Sequence, residues 1–134
     1  MACALLLAAC DVLDSPQDAK AKENLVGSWY FEYQNASERT VKSVLTLTDD
    51  GRFRARERVG EAPKESHSSG PWFVTDQLLK VQTVEIDGKM LGRNDMLFMT
   101  CKLQDMTSRD FVCTQVQGGR VTFRRVQSDF ALSN

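Results

Sequence analysis

The sequence is poor in the residues from which most active sites are built. Its 134 residues include one His and three Pro. A Ser–His or Cys–His nucleophile needs a base, and the single His67 lies in the polar run 65–69, which is typical of a loop or the start of a strand. We therefore expect no catalytic residue and no enzyme. There is also no His pair and no Cys-x-x-Cys spacing, so we expect no metal site and no cofactor.

Neither sign of charge is in excess, because 17 Lys and Arg face 18 Asp and Glu, for a net charge of -1. Nucleic-acid binding draws on a clear surplus of Lys and Arg, so that partner class is excluded. No apolar run reaches the roughly 20 residues that a membrane-spanning helix needs. The apolar share of 42% and the charged share of 26% are typical of a folded domain, and the length suits one domain.

The first ten residues, MACALLLAAC, carry no charged side chain. Their length matches the apolar part of a signal peptide. The segment Leu7-Ala8-Ala9-Cys10 resembles the lipobox of bacterial lipoproteins. That resemblance implies that residues 1–9 are removed and that Cys10 carries a lipid anchor. The basic start of a signal peptide is missing, which a start codon placed too far downstream would explain; the alternative is a buried apolar segment.

Residues 10–24 are expected to form the anchor and a polar tether long enough to hold the domain clear of a bilayer. The resemblance implies a lipid-anchored, periplasm-facing protein of the bacterial cell envelope. Asp11 is similar to an inner-membrane retention signal, but that rule differs between bacteria, so the choice of inner or outer membrane stays open.

From residue 25 onward, apolar and polar residues alternate over short runs that turn residues separate. The pattern predicts an all-β domain over 25–126, an eight-stranded antiparallel up-and-down β-barrel, with a sandwich as the alternative. The tail, 127–134, is polar apart from Phe130 and Leu132, which are expected to cap a barrel end. The predicted strands lie near 26–34, 40–48, 52–59, 67–74, 78–86, 95–103, 110–116 and 120–126.

Three motifs in order carry a family resemblance. Leu25-Val26-Gly27-Ser28-Trp29 resembles the Gly-x-Trp opening of lipocalins and other calycin barrels, the run 45–53 resembles a hairpin of bacterial lipocalin-like domains, and Gly70-Pro71-Trp72 resembles their second Gly-x-Trp. The resemblance implies that Trp29 closes one barrel end and that a cation of the last strand, Arg125, packs on it. The alternative is that Arg124 or Arg125 is merely solvated.

Two cysteines remain beyond the N-terminal segment, Cys101 and Cys113. They lie on neighbouring predicted strands, and a loop centred near residue 107 would place them opposite each other. An oxidising compartment favours a disulfide between them. Two buried thiols are the alternative.

The strand over 52–59 has two different faces. Arg52, Arg54, Arg56 and Arg58 alternate and form an outward basic stripe, which contacts anionic headgroups, a glycan or a partner, or is simply a solvated barrel surface. Glu57 points the other way, into the barrel. A carboxylate there must be paired or hydrated, and Arg125 or a ligand amine are the two partners we consider.

The leading function is binding of a small apolar or amphipathic molecule inside a monomeric barrel, without catalysis. The expected ligand-binding residues are Tyr33, Glu57, Trp72 and Met99. The alternative is a filled barrel that acts as an interaction or inhibitor module toward another envelope protein. An internal cavity above about 300 Å³ distinguishes the two functions.

Overall fold

The computed structural model describes residues 15–116 and 118–132. Within that part of the chain, one helix precedes ten strands. The elements are α1 (Pro16–Leu25), β1 (Gly27–Gln34), β2 (Thr40–Leu47), β3 (Arg52–Val59), β4 (Ser66–Thr75), β5 (Leu78–Thr83), β6 (Glu85–Ile86), β7 (Lys89–Met90), β8 (Leu97–Gln104), β9 (Asp110–Gln115) and β10 (Arg120–Val126).

Eight of the strands form a closed antiparallel barrel in the order β3-β2-β1-β10-β9-β8-β5-β4, and pairing of β3 with β4 completes it. The predicted barrel is therefore confirmed. The predicted strand 78–86 is divided at Val84 into β5 and β6. Strand β5 pairs with β8, whereas β6 pairs with β4 and with the short β7. This outer hairpin was not predicted.

Strands β4 and β5 approach each other closely at Gly70, beside the point where the predicted strand divides. A Cβ atom at this position would overlap the backbone oxygen of Gln82 and press on the ring of Phe53. Glycine alone lets β4 and β5 pass so closely at this point. The second Gly-x-Trp motif thus has a packing reason for its glycine.

Alternate side chains of the barrel strands face the interior and form its core. We call the end that carries α1 the closed end and the opposite end the open end. The Phe111 ring stacks on Phe123 with 4.7 Å between centroids and meets Trp29 edge-on at 4.7 Å. Large side chains with at most 2% exposure include Trp29, Trp72, Phe53, Phe111, Phe123, Leu25, Leu47 and Leu79.

Helix α1 corrects the expected polar tether, because residues 16–24 of that segment are helical. Ser15 caps the helix by accepting a hydrogen bond from the Asp18 amide at 3.1 Å, and Pro16 occupies the first turn. The helix ends on Leu25, which is fully buried, and the Leu25 carbonyl accepts a hydrogen bond from Trp29 Nε1 at 2.8 Å. These contacts fix the helix on the closed end.

Asp18 ties α1 to the hairpin between β4 and β5. Its carboxylate accepts hydrogen bonds from the amides of Asp76 at 3.0 Å and Gln77 at 2.9 Å. Both turn residues have positive φ, 53° and 64°, which is uncommon for residues other than glycine. The hydrogen bonds hold the pKa of Asp18 below its usual value, with the Gln77 amide contributing most.

The C-terminal residues run along the outer surface rather than over a barrel end. The Phe130 ring packs on Tyr30, an outward residue of β1, with 4.9 Å between centroids. Arg56 Nη2 donates to the carbonyl oxygens of Ser128 at 2.8 Å and Phe130 at 2.7 Å. Leu132 is 2% exposed. The prediction that Phe130 and Leu132 cap an end is wrong, because an outward arginine holds the tail against the side of the barrel.

Candidate functional site

A cavity of about 470 Å³ occupies the open half of the barrel interior. Its volume exceeds the limit of about 300 Å³ set above for ligand binding. Most of the lining is aromatic or aliphatic, with a few hydroxyl, amide and carboxylate groups. The lining residues are Phe31, Tyr33, Ser43, Leu45, Phe53, Ala55, Glu57, Ser68, Val81, Thr83, Phe98, Met99, Thr100, Gln115 and Val116.

Strand register brings the polar groups of this cavity together. Ser43 of β2 and Glu57 of β3 are direct cross-strand partners, and both point inward. Tyr33 of β1 pairs with Val41 of β2, the next inward pair toward the open end after the pair of Phe31 and Ser43. Its hydroxyl is 3.5 Å from Glu57 Oε2, at the limit of a hydrogen bond. Three polar side chains from three adjacent strands therefore share one side of the cavity.

Burial dominates the electrostatics of this group. It raises the pKa of Glu57, and the neighbouring hydroxyls of Tyr33 and then Ser43 oppose that effect. Burial and then the charge of Glu57 raise the pKa of Tyr33 to about 12. Between residues 15 and 132, leaving out Gln117, no Lys, Arg or His lies within ion-pair distance of Glu57.

The expected pairing of Glu57 with Arg125 is wrong, because the two residues lie at opposite ends of the barrel. Arg125 is the partner of Trp29 near the start of β1, whereas Glu57 lies in the open half. The guanidinium carbon of Arg125 is 4.2 Å from the Trp29 ring centroid. Its nitrogens donate to the carbonyls of Asn24, Val26 and Ser108 at 2.7, 3.0 and 2.7 Å.

Three of the four expected ligand-binding residues, Tyr33, Glu57 and Met99, line the cavity. Trp72 does not. It is 2% exposed and lies at the closed end, where its Nε1 donates to the Thr48 carbonyl at 2.9 Å. Trp72 is inward, as alternation predicts, but its distance along the strand places it in the packed half.

Sequence reasoning missed Ser43, which is fully buried and lines the cavity. The signal was present, because Ser43 shares the parity of Val41, Leu45 and Leu47 in the strand predicted over 40–48. A polar residue in that inward series marks the point where the packed core gives way to the cavity.

A disulfide joins Cys101 and Cys113 and confirms that prediction. Both cysteines are fully buried, with their Cα atoms 5.2 Å apart. They are diagonal rather than directly opposite, since Cys101 pairs with Gln115 and Cys113 with Leu103. The hairpin is centred near residue 108, one residue later than expected, which moves the partner by two. The bridge joins β8 and β9, which supply one side of the cavity.

The arginine stripe lies on the outer face of β3, and two of its four side chains contact other residues of the chain. Arg56 pairs with Glu65 at 3.3 Å and holds the C-terminal residues, while Arg58 Nε donates to the Ala62 carbonyl at 2.7 Å. Arg52 and Arg54 are exposed.

The predicted signal segment 1–9 and the anchor Cys10 lie outside the described residues. Within the described residues, the one helix is too short to span a membrane.

No protein-family model and no curated protein matches this sequence. Among solved structures, a redesigned β-barrel is similar over 80% of this chain and 96% of its own, with 14% identity and a TM-score of 0.48. A de novo designed fluorescence-activating β-barrel is similar over 79% of this chain and 97% of its own, with 12% identity and a TM-score of 0.45.

Proposed function

We propose that this protein is a lipid-anchored, lipocalin-like lipoprotein of the bacterial cell envelope whose barrel binds a small apolar or amphipathic molecule without catalysis. The observation that carries the proposal is the cavity of about 470 Å³ in the open half of the barrel. Binding pockets for small molecules occupy roughly 300–1,000 Å³ and combine apolar walls with a few polar groups.

The division of the barrel into two halves supports this function. The closed half is filled by Trp29, Trp72, Phe111 and Phe123, all below 3% exposure. Across the open half, the inward positions include Ser43, Ala55, Ser68 and Thr83, which are too small to meet across the barrel. A rigid packed half that leaves a preformed space beside it lowers the cost of binding, because little must be ordered when a ligand enters.

The position of α1 defines how the barrel would be held under this proposal. Helix α1 begins beside the β4–β5 turn at the closed end. Five residues separate the proposed anchor Cys10 from Pro16, and that length of chain reaches about 20 Å at most. The closed end would therefore face the bilayer and the open end would face the aqueous side.

Binding of N-phenyl-1-naphthylamine, a neutral apolar fluorophore, tests the proposal. We expect saturable fluorescence enhancement with one site per chain. Thr83→Trp, which adds an indole to the cavity, should weaken binding by at least about tenfold. Thr122→Trp is the matched control, because Thr122 is exposed on the outer face of β10. Absence of saturable binding, or equal loss in both variants, contradicts the proposal.

The alternative function, an interaction module for another envelope protein, has one observation in its favour. Leu97, Phe98 and Val116 beside the open end are 58%, 64% and 73% exposed. Exposed apolar residues in a cluster are typical of protein contacts. Native mass spectrometry of protein released from its own envelope separates the two functions. A retained small molecule supports ligand binding, whereas a retained protein that Phe98→Ser releases supports the alternative.

A further inference from the structure

Glu57 is the feature of the cavity that an apolar ligand leaves unexplained. Its half-buried carboxylate lines the cavity, and the hydrogen bond that it accepts within the described residues comes from the Tyr33 hydroxyl at 3.5 Å. Over residues 15–116 and 118–132, it makes no ion pair. A carboxylate that is half-buried among apolar side chains without a cation is unfavourable, so its presence in a binding cavity points to a partner that arrives with the ligand.

Ser43 supplies an independent observation beside it. The Ser43 hydroxyl is fully buried, lines the cavity and lies close enough to Glu57 to lower the pKa of that carboxyl, yet it makes no hydrogen bond of good geometry in the described part of the chain. Buried hydroxyls almost always have a partner, so an unsatisfied one aimed into a cavity indicates a place for a ligand's polar group. Because Ser43 and Glu57 are cross-strand partners, one ligand atom can reach both.

The charge of that ligand group follows from the acceptors around it. Glu57 offers carboxylate oxygens, and the Ser43 and Tyr33 hydroxyls each offer lone pairs. An alkylammonium group carries three N–H donors and a positive charge, which matches this set. The adjoining rings of Phe31 and Tyr33 stack with 5.9 Å between centroids, and aromatic faces attract cations.

We propose that the ligand is an amphipathic amine whose protonated nitrogen binds between Glu57, Ser43 and Tyr33 while its apolar body occupies the cavity. This inference rests on the proposed function and specifies its ligand class. The neighbouring cations on these strands, Lys42 and Arg56, do not compete for Glu57, since both alternate to the outer face. An anionic ligand is disfavoured by the same carboxylate.

Displacement of bound N-phenyl-1-naphthylamine by 1-aminooctane and by 1-octanol at pH 7 tests the ligand class. The two displacers share one alkyl chain, and an alkylamine is protonated at this pH. With the full chain, we expect the amine to displace the fluorophore at a concentration at least about tenfold lower than the alcohol. Octanoate should be the weakest of the three.

Glu57→Gln keeps the shape of the side chain and removes its charge. We expect this variant to bind the neutral fluorophore within about twofold of the wild type and to lose the preference for the amine. Glu61→Gln is the control, because Glu61 is an exposed residue of the β3–β4 loop near the same end. It should keep the preference.

The two proposals fail in different ways. If the fluorophore binds but the amine and the alcohol displace it equally, or if Glu57→Gln keeps the amine preference, the amine site is contradicted while ligand binding stands. If Glu61→Gln abolishes the preference as fully as Glu57→Gln does, general surface charge explains it and the site is contradicted. If the fluorophore does not bind, the proposed function itself fails.

Discussion

Reduction of the Cys101–Cys113 disulfide should lower the free energy of unfolding by about 3 kcal/mol. The bridge spans 12 residues of sequence, and the chain-entropy relation for a loop of that size gives this value at 25 °C. The thiols stay in place after reduction, so the change reports the covalent link and adds no cavity. A loss of this size is a large fraction of the roughly 5–15 kcal/mol that stabilises a typical domain.

Urea unfolding followed by tryptophan fluorescence measures the effect. Trp29 and Trp72 are buried at the closed end, so both report loss of the packed half. The double variant Cys101→Ala, Cys113→Ala is the control. It should be insensitive to reductant, which separates this bridge from any effect at Cys3 or Cys10.

We expect the oxidised and reduced wild-type curves to differ in midpoint and in slope, because the unlinked denatured chain exposes more surface. Equal midpoints with and without reductant would refute the reasoning. So would an equal response to reductant in the double variant.

Three further predictions concern other parts of the molecule. Arg125→Met should lower the free energy of unfolding, measured by urea unfolding, by about 1–3 kcal/mol. The substitution removes the contact with Trp29 and three hydrogen bonds to carbonyl oxygens. An unchanged free energy of unfolding would mean that the arginine is merely solvated. Gly70→Ala should lower the melting temperature and cost about 1–3 kcal/mol of unfolding free energy, because its methyl group meets the Gln82 carbonyl. Gly92→Ala, in a loop, is the control. Equal effects of the two substitutions would contradict the close approach. The raised pKa of Glu57 means that its contribution to stability is present below the unfolded-state value and is lost as pH rises through the folded-state value. Glu57→Gln should therefore gain stability relative to the wild type as pH rises from 4, and a pH-independent difference between the two would contradict that assignment.

The barrel was predictable because alternation and turn residues are local signals. Trp29, Phe31 and Tyr33 share a parity on β1, and Asp49-Asp50-Gly51 lies in the turn that joins β2 to β3. Helix α1 was not predictable in this way. Its sequence, PQDAKAKENL, has no apolar stripe, and contacts distant in sequence, such as Asp18 with Gln77, hold it in place.

The inward direction of the candidate site residues was predictable, but the residues that would lie beside them were not. Alternation along β3 placed Glu57 inward, and the cavity lining agrees. Its position along the barrel axis depends on the register of every intervening strand, which short-range patterns do not set. Trp72 was therefore assigned to a cavity in the other half of the barrel, and Arg125 was considered as a partner of Glu57 although it lies at the opposite barrel end. A one-residue error in a loop centre displaced the expected partner of Cys101 by two residues.

Ligand position is the most direct test of the central claim that the open half of the barrel is a binding site. Backbone and methyl chemical shifts of the labelled protein can be followed by nuclear magnetic resonance during titration with N-phenyl-1-naphthylamine. The account predicts saturable shifts at Ser43, Glu57, Thr83 and Met99, with little change around Trp72 at the closed end. Shifts confined to the outer face, or no saturable shift at any cavity residue, would contradict it.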